Sequence, residues 1–380
     1  MNKRITPNNF DLIRLFAASE VALLHVLSYL QPAAYGARQG GWDVVVTLLK
    51  FFPGVPVFFF ISGFLISRSY ERTESTRVYA ANRCLRIYPA LHVCVFINLL
   101  MVAATGYFAL VHAHIGDIAL LYLAKTTFIQ FYNPQFMRHF GDGVLNGSLW
   151  TICVELQFYV MVPIIYKLLY GEGSRRFDIA LVCLILLSVA VNRLLYGPAV
   201  PFVHSDSWKL VRVSFLPWLY MFLTGVLAQR HFPRIAPFLE RVPLLPVALL
   251  YLGYAVLMRY WGFSFHNDIS PLLFLPLSAL AMVAAFTVPG LAGRMLNGND
   301  FSYGIYIYHV PIMDTLLYMG YKGSLLDSAA TLMLTACFAA ASWYMVERPC
   351  LRKKIQSIRP LGSPNGGILL QESSSQGAGL

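Results

Sequence analysis

Long apolar runs, each closed by Gly, Pro or a basic cluster, dominate the chain, and they lack the strict alternation of half-buried strands. Ten can be bounded: Phe10–Leu30, Val44–Ile66, Cys84–Thr105, Leu149–Leu169, Ile179–Leu195, Phe215–Gln229, Leu244–Tyr260, Pro271–Val288, Phe301–Gly320 and Leu325–Val346. Most approach the ~20 residues that carry an α-helix across ~30 Å of hydrocarbon. The pattern predicts an all-α, polytopic membrane helical bundle of about ten transmembrane helices. The stretch Ile115–Phe131 is apolar too, but it carries Asp117 and Lys125 and is flanked by His112 and His114. It reads as a helix lying at the membrane interface, capping the site, rather than as an eleventh span.

Composition agrees with that reading. Hydrophobic residues make up 57% of the 380 and charged residues 12%, about half the ~25% of an ordinary soluble protein. Too few charges remain to coat a water-facing surface, which excludes a soluble enzyme, a fibrous protein and a disordered chain. The formal charge of +11 would raise the question of nucleic acid in a soluble protein, but in a membrane protein it is the positive-inside bias, and no nucleic-acid partner is expected. With ten spans, nineteen of the 29 Lys and Arg fall on the side of the termini and nine on the other, with Arg14 inside a span. Both termini are therefore expected to be cytoplasmic, and an eleventh span would spoil the asymmetry. The six cysteines form no C-x-x-C pair, so they are read as free thiols, with no disulfide framework and no metal site. Arg14 and Glu20 interrupt the first apolar run and no small-residue cleavage site follows, so it is expected to stay in the mature protein. No repeat or inverted pair of broken helices is visible. One membrane domain, residues 1–354, is expected, followed by a Gly- and Ser-rich cytoplasmic tail, 355–380, expected to be disordered.

Ionisable residues inside apolar spans are costly and by default functional. The first span holds Asp11, Arg14, Glu20 and His25. Arg14 and His25 are eleven apart, within ~20° of one helix face and ~16 Å along it. They form a vertical track with Arg14 near the cytoplasmic end. The bland alternative is that Arg14 snorkels to the headgroups and His25 bonds a neighbouring helix. Asp11 is the salt partner one turn away from Arg14, and Glu20, ~140° around the helix from His25, faces a different neighbour. Arg83 and Arg86, three apart at the mouth of the third helix, are neighbours on one face and suited to gripping phosphate, although positive-inside charge alone would also explain them. Ser148, Glu155 and Tyr159 are spaced to line one stripe of the fourth helix, and Ser302, Tyr306 and His309 repeat the spacing on the ninth. Glu155 has no basic neighbour in sequence, so its partner must come from another helix. Such stripes either hold the bundle together or line a cavity. Gly54 to Ile66 mixes small residues with aromatics and reads as close helix packing.

Taken together, Asp11-Leu12-Ile13-Arg14 with His25, the Phe58–Ile66 segment, Arg83–Pro89, Ser148–Tyr159, Ser302-Tyr303-Gly304-Ile305-Tyr306-Ile307-Tyr308-His309 and Glu347-Arg348-Pro349 resemble the acyltransferase-3 family of integral membrane acyltransferases, over nearly the whole chain. The resemblance implies transfer of an acyl group, above all acetyl, from cytoplasmic acetyl-CoA or another acyl-CoA to a hydroxyl of a cell-surface or exported glycan or glycolipid. It implies an integral protein of the cytoplasmic (inner) membrane in a bacterium, with acyl-CoA, a carbohydrate or glycolipid acceptor and membrane lipid as partners. His25 then looks like the catalytic histidine, with Arg14 and Glu155 beside it. Arg83 and Arg86, with Arg14, look like the coenzyme A grip. Ser148, Tyr159, Ser302, Tyr306 and His309 are expected to line the substrate cavity. A neutral His25 either takes a proton from the acceptor hydroxyl or accepts the acyl group itself; both routes stay open. Some family members carry a soluble esterase-like domain after the last helix; none is visible in this chain, which leaves the acceptor open. Outside this family, a transporter or flippase would use the same polar track without acyl transfer, and a structural scaffold would need neither.

Overall fold

The computed structural model describes residues 8–31, 41–73, 75–169, 174–197 and 210–353. The expected tail, 355–380, lies outside them. The described residues are helical, with no strand. The principal helices are α1 (Phe10–Leu30), α2 (Gly54–Arg72), α3 (Thr76–Ala104), α4 (Ile115–Lys125), α5 (Trp150–Leu169), α6 (Ser174–Tyr196), α7 (Leu219–Arg230), α8 (Leu244–Tyr260), α9 (Pro271–Phe286), α10 (Ser302–Tyr318), α11 (Leu325–Ser342) and α12 (Arg348–Arg352). Each of the ten apolar segments contains helix, although the second is split in two and the sixth is helical only from Leu219. Among the described residues, five helical stretches are long and apolar enough to cross a bilayer, Val44–Arg72, Thr76–Ala104, Gly147–Leu169, Arg175–Tyr196 and Leu325–Arg352. A sixth arises if Phe232–Leu239 and Leu244–Tyr260, which meet at 102°, count as one broken span. The molecule is a membrane helical protein.

The second expected span is interrupted: a helix over Gly41–Lys50 stops at Phe51-Phe52-Pro53 and α2 begins at Gly54. Pro53 cannot donate a backbone N–H, and the first N–H of α2, on Gly54, is answered instead by Glu20 Oε2 of α1 at 3.0 Å. That contact explains a buried carboxylate turned away from His25. A Cβ at Gly54 would lie 2.4 Å from the Ala17 carbonyl oxygen, so glycine is what lets α1 and α2 meet there. The tightest crossing is between α2 and α7. A Cβ on Gly63 would sit 1.9 Å from the Phe222 carbonyl oxygen and one on Gly225 2.0 Å from that of Phe60. Close packing is thus the role of Gly54 and Gly63 in α2.

Pro163, Pro276 and Pro311, each inside a helix, free a carbonyl four residues earlier, and in hydrocarbon a freed carbonyl must find another donor. Pro163 frees that of Tyr159, which accepts from the Tyr79 hydroxyl at 3.2 Å. Pro276 frees that of Leu272, which accepts from the Tyr254 hydroxyl at 2.9 Å. Pro311 frees that of Ile307, which accepts from Asn146 Nδ2 at 2.9 Å and from the Cys94 thiol at 3.2 Å. The helix breakers therefore pin α3 to α5, α8 to α9, and the loop before α5 to α10.

The apolar stretch from Ile115 forms α4, only 11 residues long, or ~16 Å at 1.5 Å per residue. It ends at Lys125, whose buried ammonium donates to the Gln130 carbonyl at 2.8 Å. From there the chain runs irregularly into the bundle. It is held by Asn133, which donates to the Gly143 carbonyl and accepts from the Leu145 N–H, and it ends at Asn146 with a positive φ of 57°.

Candidate active site

α1, α3 and α10 converge on one charged cluster. Arg14 Nη1 donates to Asp300 Oδ2 at 2.9 Å, while Asp11, the expected local partner, is 3.9 Å away. Arg86 Nη2 donates to the same Asp300 oxygen, and its Nη1 lies 3.8 Å from Glu347 Oε2. The other Asp300 oxygen accepts from the backbone N–H and the hydroxyl of Ser302, at 3.2 and 2.5 Å. Burial alone would raise the Asp300 carboxyl, but the Arg14 and Arg86 guanidiniums hold it well below the usual carboxylate range. Glu347 is buried in the π-helical turn Trp343–Glu347 that joins α11 to α12 and accepts from the Ser342 hydroxyl at 3.1 Å.

Arg83 turns away from this cluster. Its Nη2 donates to Ser69 Oγ at 3.1 Å, and its guanidinium carbon stands 5.9 Å from the Tyr79 ring centroid and 5.8 Å from that of Tyr159. Its Nε is buried without a hydrogen-bond partner. Arg83 and Arg86 thus lie on the same cleft but point to different partners, and Arg86 is already committed to two carboxylates. The partner of Glu155 does come from another helix, as a hydroxyl and not a base: Ser62 Oγ donates to Oε1 at 3.1 Å, joined by the Tyr159 hydroxyl at 2.7 Å.

These residues surround a cleft of about 330 Å³ whose lining includes Arg14, Arg83, Arg86, Glu155, Tyr159 and Asp300. Arg14 and Glu155 also line a second, narrower pocket of about 30 Å³, walled by Phe58, Thr151, Ser302 and Tyr306. By volume the second pocket holds two or three water-sized groups, at ~10–15 Å³ each. The Tyr306 hydroxyl is hydrogen-bonded to Thr151 Oγ1 at 2.7 Å, and its ring centroid is 5.9 Å from that of His309. Ser148, like His309, lines neither cavity. It sits in the 3₁₀ turn Gly147–Leu149, so the helical stripe expected to join it to Glu155 and Tyr159 is broken, and its hydroxyl donates to Asn146 Oδ1 at 2.7 Å.

Beyond Tyr306, His25 Nδ1 and His309 Nε2 are 2.9 Å apart. His309 is fully buried, and its Nδ1 lies 3.1 Å from the Ile305 carbonyl. A carbonyl can only accept, so His309 Nδ1 carries the proton and its Nε2 offers a lone pair. His25 Nδ1–H donates to that lone pair, so in the neutral imidazole the free lone pair lies on His25 Nε2. The bonding chain fixes one tautomer of His25, with its basic nitrogen pointing away from His309. Sequence spacing placed His309 on a polar stripe but held no signal that it would face His25. Asp300 and Glu347 were missed as site residues; the signal available was an ionisable Asp300 two residues ahead of Ser302, at the mouth of an apolar span.

An all-helical membrane protein with an oriented histidine beyond an arginine-lined cleft is the class that fold and site define. The chain belongs to the acyltransferase-3 family: residues 8–346 match its model, described as an acyltransferase domain. It is 30% identical over 364 residues to nodulation protein 10 of Rhizobium leguminosarum bv. viciae, covering 91% of this chain and 93% of that one. It is 26% identical over 356 residues to the O-acetyl transferase of Shigella phage Sf6, covering 91% and 96%. The peptidoglycan O-acetyltransferase OatA of Listeria monocytogenes is 25% identical over 313 residues, 69% of this chain and 45% of that protein. No solved structure matches the chain. The protein is an integral membrane acyltransferase.

Proposed function

We propose that the protein transfers an acetyl group from cytoplasmic acetyl-CoA to a hydroxyl of a cell-surface or exported glycan or glycolipid, across a ten-span bundle whose termini are cytoplasmic. The observation that carries this reading is the His25–His309 pair, which leaves one imidazole nitrogen basic and aimed. The nucleotide end of coenzyme A is too charged to enter hydrocarbon. The cleft bearing Arg83 and Arg14 is where its phosphates would stop, while the slim pantetheine arm continues past Glu155 and Tyr306. His25 Nε2 then removes the acceptor hydroxyl proton as the oxygen attacks the thioester carbonyl. The C–O bond forms, the C–S bond breaks, and the leaving thiolate takes the proton from His25. An acyl-histidine route would use the same lone pair. The O-acetyltransferase names of several relatives support acetyl as the group and a carbohydrate as the acceptor.

The test is transfer of label from isotope-labelled acetyl-CoA into the glycan and lipid fractions of membrane vesicles. Wild type should incorporate label, and His25→Ala at matched expression should lose it. Wild-type vesicles that incorporate nothing from acetyl-CoA, with candidate acceptors supplied, would sink the proposal.

A further inference from the structure

Arg14 and Arg86 come from helices far apart in sequence, yet both donate to one oxygen of Asp300, 2.9 Å away in the case of Arg14. Two guanidiniums this close repel each other strongly in a low-dielectric interior unless an anion stands between them. Asp300 supplies that anion, and Glu347 adds a second beside Arg86. Both Asp300 oxygens are in use. Oδ2 takes the arginines, and Oδ1 takes the N–H and hydroxyl of Ser302 at the first turn of α10. α10 is the helix that carries Tyr306 and His309. One carboxylate therefore ties the arginines of the charged cleft to the helix that orients His25.

We infer that Asp300 is a positioning residue of the acyl-transfer site: it holds Arg14 and Arg86 at the cleft wall and registers α10 against α1. The inference rests on the reading of the cleft as the coenzyme A entrance. It changes the part given to Arg86. With Nη2 on Asp300 and Nη1 toward Glu347, Arg86 is a strut of the cleft wall, and the guanidiniums left to meet an incoming phosphate are those of Arg83 and Arg14.

Asp300→Asn keeps the shape and the bonds to Ser302 but removes the charge, leaving two half-buried arginines with only Glu347 beside Arg86 and the more exposed Asp11 3.9 Å from Arg14. In labelled acetyl transfer by vesicles, the expected result is a rise of about tenfold or more in the KM for acetyl-CoA, with the acceptor KM unchanged. A general loss of folding would instead lower the active fraction and leave both KM values where they were. Arg86→Gln supplies the second test. Removing Arg86 together with the Asp300 charge restores the balance, so Asp300→Asn/Arg86→Gln should bind acetyl-CoA better than Asp300→Asn alone, and should recover expression if the single variant fails to fold. A double variant worse than both singles, or Asp300→Asn with a donor KM within twofold of wild type, overturns the assignment. Wild-type vesicles that use no acetyl-CoA overturn the cleft reading itself, an outcome seen before any variant is made.

Discussion

Replacing His309 by leucine removes the acceptor on which the His25 tautomer depends. In wild type His25 Nδ1–H is matched by His309 Nε2 at 2.9 Å, inside a site where His309 is fully buried. In the leucine variant His25 either keeps a buried donor without a partner or moves its proton to Nε2, the nitrogen the chemistry needs free. An unsatisfied buried donor costs ~1–3 kcal/mol, which at 1.36 kcal/mol per decade is a fall of about 5- to 160-fold in acetyl transfer. The assay is labelled acetyl incorporation at saturating acetyl-CoA, with thermal stability in detergent read alongside to separate chemistry from unfolding. His309→Gln should fall between the two, because its side-chain oxygen can occupy the region of Nε2 and accept from His25 again. A folded His309→Leu protein that transfers acetyl within twofold of wild type would refute the relay, because some other group would then be setting the state of His25.

The two other expectations concern stability. At the α2–α7 crossing, a Cβ on Gly225 would lie 2.0 Å from the Phe60 carbonyl oxygen, so Gly225→Ala forces backbones apart and should cost at least ~1–3 kcal/mol; Gly253→Ala in α8, where a Cβ meets nothing within 4 Å, should gain ~0.5–1 kcal/mol from helix propensity, and thermal unfolding in one detergent compares the pair directly. For Asp300, the arginines outweigh the effect of burial and hold the carboxyl well below its ordinary range. Its ion pairs therefore contribute fully above the unfolded carboxylate pKa of about 3.9 and are lost only in stronger acid. The stability difference between wild type and Asp300→Asn should be flat from about pH 5 to 8; a wild-type advantage that grows as the pH falls from 8 to 5 would mean that folding raises the Asp300 carboxyl, and would overturn the ion-pair reading.

The helices were legible because helix formation in apolar sequence is a local matter: α1 was bounded at Phe10 and Leu30 and α8 at Leu244 and Tyr260, as found. Interruptions were harder. The break at Phe51-Phe52-Pro53 sits inside an apolar run and shows itself only when Glu20, from another helix, answers the Gly54 N–H. The 3₁₀ turn at Gly147–Leu149 likewise defeated a spacing argument that presumed a regular helix through Ser148. The polar residues were all in view as an inventory, since ionisable groups stand out in a chain with 12% charged residues. Their pairing was not, because Asp300 stands 286 positions from Arg14 and 214 from Arg86, and nothing local prefers one partner to another. Asp11 was the nearest partner by helical spacing, yet it is half-exposed while Asp300 is buried. A buried carboxylate cannot be left to water, so the arginines go to the anion that needs them most. The same reasoning accounts for His309, whose neighbour could be found only once α1 and α10 were seen side by side. In a bundle of this kind, many buried polar groups are answered by another helix, and the set of those answers is what converts apolar segments into a single arrangement with a site in it.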